Sequence, residues 1–256
     1  MHGKTALITG AAKRVGRAIA RELHAAGACV AVHYRTAAEA AEALVRELNA
    51  ARPGSACAMA ADLRAAEAPE RLVEAVIARF GRLDALVNNA STFFATPLGG
   101  IDTAAWDELT GSNLKAPLFL TQAAAPYLRA ARGAVVNITD VHAERPLAGY
   151  PLYCAAKAGL LGLTRALAVE LAPAVRVNAV APGPILWPEG EETHRASPPS
   201  APAPAPAGGF DAEARARLVA HTLLKRTGEA GDIARTVRFL LAEAPYITGQ
   251  VINVDG

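Results

Sequence analysis

Thr5-Ala6-Leu7-Ile8-Thr9-Gly10-Ala11-Ala12-Lys13-Arg14-Val15-Gly16 stands almost at the start of the chain. A short apolar run ends at a glycine, and a helix-forming stretch follows. Free backbone N–H groups at such a turn, with the dipole of the following helix, favour an anion such as a pyrophosphate. The usual middle glycine is missing, and Arg14 stands there. A glycine pattern alone is weak, but its place in a first strand–turn–helix unit gives it weight. Gly10 and Gly16 are therefore expected to shape a phosphate cradle, with Lys13 and Arg14 adding charge.

Further strand-like runs lie at 29–34, 56–60, 85–88, 134–139, 175–180 and 251–254, so with 5–9 there are seven. Helix-like Ala/Leu/Glu/Arg stretches separate them; within 39–48, Leu44, Val45 and Leu48 form one apolar stripe. Strands alternating with helices imply right-handed crossovers and a mostly parallel sheet. The strands are continuous apolar runs rather than alternating ones, as expected when helices cover both faces. The expected fold class is thus α/β, a doubly wound sheet, in one domain over 1–256.

Composition narrows the function classes. Hydrophobic residues make up 52% of the 256 and charged ones 20%, enough for a sizeable core and against bulk disorder. Lys plus Arg is 26 and Asp plus Glu 24, a net +2 spread along the chain, which argues against a nucleic-acid-binding arm. No membrane span is expected: the longest candidate, 114–128, is interrupted by Lys115, Pro117 and Pro126. No signal peptide is read, and Cys29, Cys57 and Cys154 show no metal spacing. Reduced thiols, a cytoplasmic location and no metal are expected. One stretch departs from the pattern: 197–209 reads SPPSAPAPAPAGG, with five prolines and two glycines. It excludes a helix or central strand, and is expected to form a lid or insertion around 187–210.

The second strand ends in His33-Tyr34-Arg35-Thr36. Dinucleotide folds that hold a ribose 2′-hydroxyl place an acidic residue there. Here Arg35 takes the place, with Lys13 and Arg14 nearby in the first loop and no carboxylate in either stretch. That charge pattern predicts NADPH over NADH.

Tyr153 and Lys157, four apart, share a helix face. They follow Asn88-Asn89-Ala90 after the fourth strand and Asn113 beyond it, and precede Pro182-Gly183 after the sixth. In this order the motifs resemble the short-chain dehydrogenase/reductase family over essentially the whole chain. The resemblance implies a Rossmann-like sheet of order 3-2-1-4-5-6-7 and, usually, a homotetramer. It implies that Tyr153 donates a proton, that Lys157 binds the nicotinamide ribose and lowers the tyrosine pKa, and that Asn113 holds a water linked to the lysine. It implies cofactor contacts at Gly10, Lys13, Arg14, Gly16, Tyr34, Arg35, Thr36, Asp62, Leu63, Asn88, Ala90, Ser91, Tyr153, Lys157, Pro182, Gly183 and Ile185. Members usually continue several residues beyond the equivalent of Val254-Asp255-Gly256, so a missing tail is a further expectation.

Most members place a serine 13 residues before the tyrosine; here that residue is Asp140. Thr139 cannot replace it, because it points to the opposite face of the strand. A serine hydroxyl stabilises the oxyanion formed when a ketone is reduced, whereas an ionised carboxylate repels it. Reduction of a C=N bond needs a proton on nitrogen, which a carboxylic acid supplies. Burial and cofactor phosphates are expected to raise the Asp140 pKa and favour mildly acidic pH. Aspartate here, the arginine in the first loop, His33-Tyr34 and the stretch Asn88–Leu98 resemble the pteridine reductases of the family. That resemblance implies that Phe93 stacks on a pterin, that Ser91 bonds pterin and cofactor, and that Arg14 reaches both. Trp187 is a candidate to close over the substrate. Dihydropterins and dihydrofolate fit equally. The alternatives are an NADPH-dependent carbonyl reductase and a non-catalytic NADPH-binding sensor.

Overall fold

The computed structural model describes residues 1–185, 216 and 219–256. In chain order the elements are β1 (Thr5–Ile8), α1 (Arg14–Ala25), β2 (Cys29–Tyr34), α2 (Ala38–Ala51), β3 (Ala56–Ala60), α3 (Ala68–Phe80), β4 (Ala85–Asn88), α4 (Thr103–Thr110), α5 (Ala116–Ala131), β5 (Ala134–Ile138), α6 (Pro151–Leu171), β6 (Arg176–Pro182), α7 (Ala230–Ala242) and β7 (Val251–Val254). A π-helical turn, Gly111–Lys115, joins α4 to α5, and a 3-10 turn, Val141–Ala143, follows β5.

The seven strands form one parallel sheet of order β3-β2-β1-β4-β5-β6-β7. Alternation of side chains along each strand feeds two cores. Ala6 and Ile8 join Val30 and Val32 beneath Ile19, Leu23, Leu44, Leu48, Val237 and Leu240 of α1, α2 and α7. Leu7 and Leu86 point the other way, to Leu72, Val76, Leu120, Leu128 and Leu171 of α3, α5 and α6. With both faces covered, apolar residues occupy consecutive strand positions, which is why the strands read as unbroken apolar runs.

β1 lies between β2 and β4, so the strand order reverses beside it. Open α/β sheets bind ligands in the crevice that such a reversal leaves at the carboxyl ends of the strands. The loops after β1, β2, β4, β5 and β6 meet there. Helix α6, not the segment near 114–128, is the one described helix long and apolar enough to cross a bilayer by length and composition. Half of its apolar window is buried inside the protein. The Pro-rich segment expected to act as a lid, and Trp187 with it, lie outside the described residues.

Candidate active site

The cradle is built from the β1–α1 turn. Gly10 has φ +61°, and a Cβ at Gly16 would lie 2.3 Å from the Gly10 carbonyl oxygen and 2.6 Å from Asn89 Nδ2. The helix can approach the strand end this closely only without a side chain there. Arg14 adopts φ +50°, a left-handed conformation that a glycine would accept without strain. The missing middle glycine is thus replaced by an arginine that keeps a glycine's backbone. Neighbouring loops fix this turn. Asn89 Nδ2 donates to Thr9 O (2.8 Å) and Gly10 O (3.1 Å), and the N–H groups of Asn89 and Ala90 donate to Thr9 Oγ1, both at 2.9 Å. From the other side, Gly10 N–H donates to His33 Nδ1 (3.2 Å), while His33 Nε2 donates to Ala61 O (3.1 Å). Burial pushes the His33 pKa down to about 4, so the ring is neutral and can accept from Gly10.

Tyr34 and Arg35 sit half-buried beyond His33, Thr36 is exposed, and Lys13 stands exposed before α1. The fold brings a carboxylate here that neither sequence stretch contained. Arg35 Nη1 donates to Glu108 Oε1 of α4 at 3.1 Å, and Arg64 Nη1 bonds Glu108 Oε2. Arg64 also donates through Nε to Asp62 Oδ1 (2.9 Å) and through Nη2 to Asp62 Oδ2 (2.5 Å). That guanidinium fork holds the Asp62 carboxyl down at about 2. The absence of a nearby acid read from the β2 end is therefore corrected: Glu108 arrives from 73 residues away. Leu63 is buried beside Asp62.

At the other end of the crevice, Tyr153 and Lys157 project from the first turns of α6 beneath the end of β5. Tyr153 Oη donates to Asp140 Oδ2 at 2.6 Å. Asp140 Oδ1 accepts the N–H of His142 at 2.8 Å, so the 3-10 turn holds the carboxyl in place. Lys157 Nζ donates to Ile138 O at 2.9 Å and lies 5.8 Å from the Tyr153 ring centre. Burial pulls the Lys157 pKa down to about 8. Burial, then the charge of Asp140 and the hydrogen bond to it, push the Tyr153 pKa well above its ordinary value, with Ser91 pulling weakly the other way. The net shift is upward, opposite to the lowering expected of the site. The neighbour against Tyr153 is a carboxylate, and the ammonium is turned to a carbonyl. Thr139 is buried with its hydroxyl on Val180 O (3.1 Å), on the opposite face from Asp140 as expected.

Asn113 is fully buried in the π-helical turn. Its Nδ2 donates to Leu109 O and Thr92 O, both at 2.9 Å, and its Oδ1 accepts from Ser91 Oγ at 2.6 Å. Single π turns occur often at functional positions because the wider turn re-aims one side chain. Below, Asn88 Nδ2 donates to Asn137 Oδ1 (2.8 Å) and Thr121 Oγ1 (3.2 Å), whereas Asn88 Oδ1 is buried without a partner among the described residues. An orphaned acceptor at the end of β4 is what a ligand donor would satisfy. On the β6 side, Pro182 ends the strand, Gly183 N–H donates to Val254 O (3.0 Å), and Ile185 is buried and bridged to Gly228. Phe93 is 41% exposed at the mouth. Tyr150 stacks on it at 4.6 Å and 7°, and Tyr153 meets it edge-on at 4.7 Å. Tyr150 and His33 were missed as site residues; Tyr150 stands one helical turn before Tyr153.

The arrangement can hold an anionic dinucleotide along the strand ends and deliver a proton at Asp140–Tyr153. Among the described residues no metal-binding cluster occurs. A family model described as enoyl-(acyl carrier protein) reductase matches residues 10–256. Pteridine reductase 1 of Leishmania tarentolae is 36% identical over 98% of this chain and 94% of its own. The 3-oxoacyl-[acyl-carrier-protein] reductase of Staphylococcus aureus is 37% identical over 99% and 97%. A blue fluorescent protein from a metagenomic library, solved in complex with NADPH, superposes with TM-score 0.86 at 36% identity, covering 100% of this chain and 97% of that one.

Proposed function

The chain belongs to the short-chain dehydrogenase/reductase family, and from that premise we propose that it is an NADPH-dependent reductase of a pteridine, acting on a ring C=N bond. One observation carries the substrate class: the proton-donating tyrosine is hydrogen-bonded, at 2.6 Å, to a carboxyl group where a ketone reductase of the family would carry a hydroxyl. The NADPH complex of the similar structure supports the cofactor. So do Lys13, Arg14 and Arg35 around the cradle, and Asn88 Oδ1 without a partner.

Bound NADPH supplies the hydride. The Gly10–Gly16 turn at the α1 N-terminus would hold its pyrophosphate. Arg35, with Tyr34, Thr36 and Lys13, would hold the 2′-phosphate and Lys157 the nicotinamide ribose; Asp62, Leu63, Asn88, Ala90, Pro182, Gly183 and Ile185 would line the rest of the cofactor groove. Phe93 presents a face to the pterin, and Ser91 and Arg14 bond its edge. Asp140, protonated from solvent water, gives its proton to the ring nitrogen, and Tyr153 Oη, hydrogen-bonded to Asp140, stands beside it as a second donor. The raised Tyr153 pKa keeps this reserve proton in place across the working range. Asn113 anchors Ser91 and helps hold the proton route beside Lys157.

Reduction of an oxoacyl-type ketone is the second reading, favoured by the equally similar staphylococcal reductase. Asp140→Ser separates the two. Under the pteridine reading, the wild type oxidises NADPH with dihydrobiopterin, and the variant loses that turnover by roughly a hundredfold or more while ketones improve. A wild type active only on ketones selects the second reading, and tight NADPH binding without turnover on any substrate selects a sensor. The exposed Trp106, Phe119 and Tyr127 on α4 and α5, and Val169 on α6, support self-association, as the homotetramer that we infer from the family requires. Light scattering that shows a monomer at micromolar concentration overturns it.

A further inference from the structure

We propose that Glu108 competes with the cofactor's 2′-phosphate for Arg35, so that this carboxylate sets how strongly the protein prefers NADPH to NADH. The inference rests on the reading of the β2 end as the 2′-phosphate site. Arg35 lies two residues beyond His33, whose ring and carbonyl accept the N–H groups of Gly10 (3.2 Å) and Ala11 (2.9 Å), so the arginine is tied to the phosphate turn. Its Nη1 already donates one N–H to Glu108 Oε1 at 3.1 Å. The other Glu108 oxygen takes Arg64, and Arg64 is forked onto Asp62. Two guanidinium groups thus face two carboxylates, and their charges cancel. A carboxylate and a phosphate are the same kind of acceptor for a guanidinium. An incoming 2′-phosphate must therefore displace Glu108 from Arg35 or share the arginine with it, and in either case it meets a like charge. The 2′-hydroxyl of NADH meets neither condition. Thr92 Oγ1 also donates to Glu108 Oε1 at 3.3 Å, which holds the carboxylate facing Arg35.

Glu108→Gln keeps the size and an acceptor oxygen and removes the charge. Dissociation constants are read by quenching of protein fluorescence for NADPH and NADH, and by calorimetry for adenosine 2′,5′-bisphosphate and 5′-AMP, which lack the nicotinamide. The expected result is tighter NADPH and 2′,5′-bisphosphate by roughly fivefold, with NADH and 5′-AMP changed less than about twofold. Arg64→Gln leaves Glu108 to Arg35 and is expected to shift the same pair of ligands the other way. Thermal unfolding of each variant, run beside the titrations, confirms that folded protein is compared. Equal tightening of all four ligands, or weaker NADPH binding in Glu108→Gln, overturns the competition. The cofactor reading fails separately: if the wild type prefers NADH and Arg35→Gln moves neither dinucleotide, the 2′-phosphate is not read at Arg35 at all.

Discussion

At the β5–α6 end of the crevice, Tyr153 and Lys157 are 4% and 2% exposed; at the β2–β3 end, the side chains of Arg35, Arg64 and Glu108 keep 24%, 35% and 20% of their surface. The first pair stands on one long helix and touches a few fixed partners. The second set comes from three segments far apart in sequence and forms a chain of ion pairs open to water. Burial amplifies each electrostatic contact at the first end and moves pKa values far, while solvent screens the second, where single pairs contribute little. The dry end is therefore where chemistry is concentrated, and the wet end is where ligand preference is adjusted in small steps.

The largest effect that can break this contrast is at Tyr153. Tyr153→Phe removes the reserve proton and leaves the ring, so turnover should fall by roughly 10²–10⁴-fold while NADPH binding stays within about twofold. Comparable losses in both would mean that the dry end binds rather than reacts. Next comes pH. Lys157 has its pKa lowered to about 8 from 10.5, so its ammonium is present below that value and lost above it. If the charged lysine supports the tyrosinate that forms as the proton leaves, its contribution to kcat/KM should be constant below pH 8 and add a fall of about tenfold per unit above it. For stability the sign is opposite. The unfolded chain binds more protons than the folded one between the two pKa values, so this group makes the fold more stable as pH rises from about 8 towards 10.5. A basic limb in activity without a matching loss of stability is the signature to seek. Smaller again is Gly16→Ala: a methyl 2.3 Å from Gly10 O should cost about 1–3 kcal/mol, lowering Tm by roughly 2–10 °C.

How much of this contrast was legible in the sequence follows the same division. The runs 29–34, 56–60, 85–88 and 251–254 are strands with those bounds, because a sheet covered on both faces writes itself as unbroken apolar residues. β5 stops at Ile138, where Thr139 turns its hydroxyl onto β6, and β6 runs on to Pro182 because Val254 of β7 pairs with it. Tyr153 and Lys157 are one turn apart on a helix, and spacing alone places them together. Asp140 could be found only by counting back from the tyrosine. Glu108 against Arg35, and His33 under Gly10, were invisible, because those meetings are made by loops folding over the sheet and leave no local pattern. The π turn that aims Asn113 has no signature either: α4 and α5 read as helix on both sides of it.

The smallest effect tests whether the wet end is tuned at the cost of backbone strain. Arg14 holds φ +50°, where a side chain costs about 1–2 kcal/mol relative to glycine. Arg14→Gly relieves that strain but makes the unfolded chain more flexible, which returns part of the gain. A net rise in Tm of roughly 1–4 °C is expected from the difference. The same change removes a guanidinium from the phosphate turn, so NADPH should bind several-fold less tightly, with the gap from the wild type narrowing as salt is added. A variant that is both more stable and poorer at binding would mean that the arginine is kept for its charge in spite of its backbone. A fall in Tm would show instead that the Arg14 side chain holds the turn together, and the wet end would then owe its shape to the same residues that read the ligand.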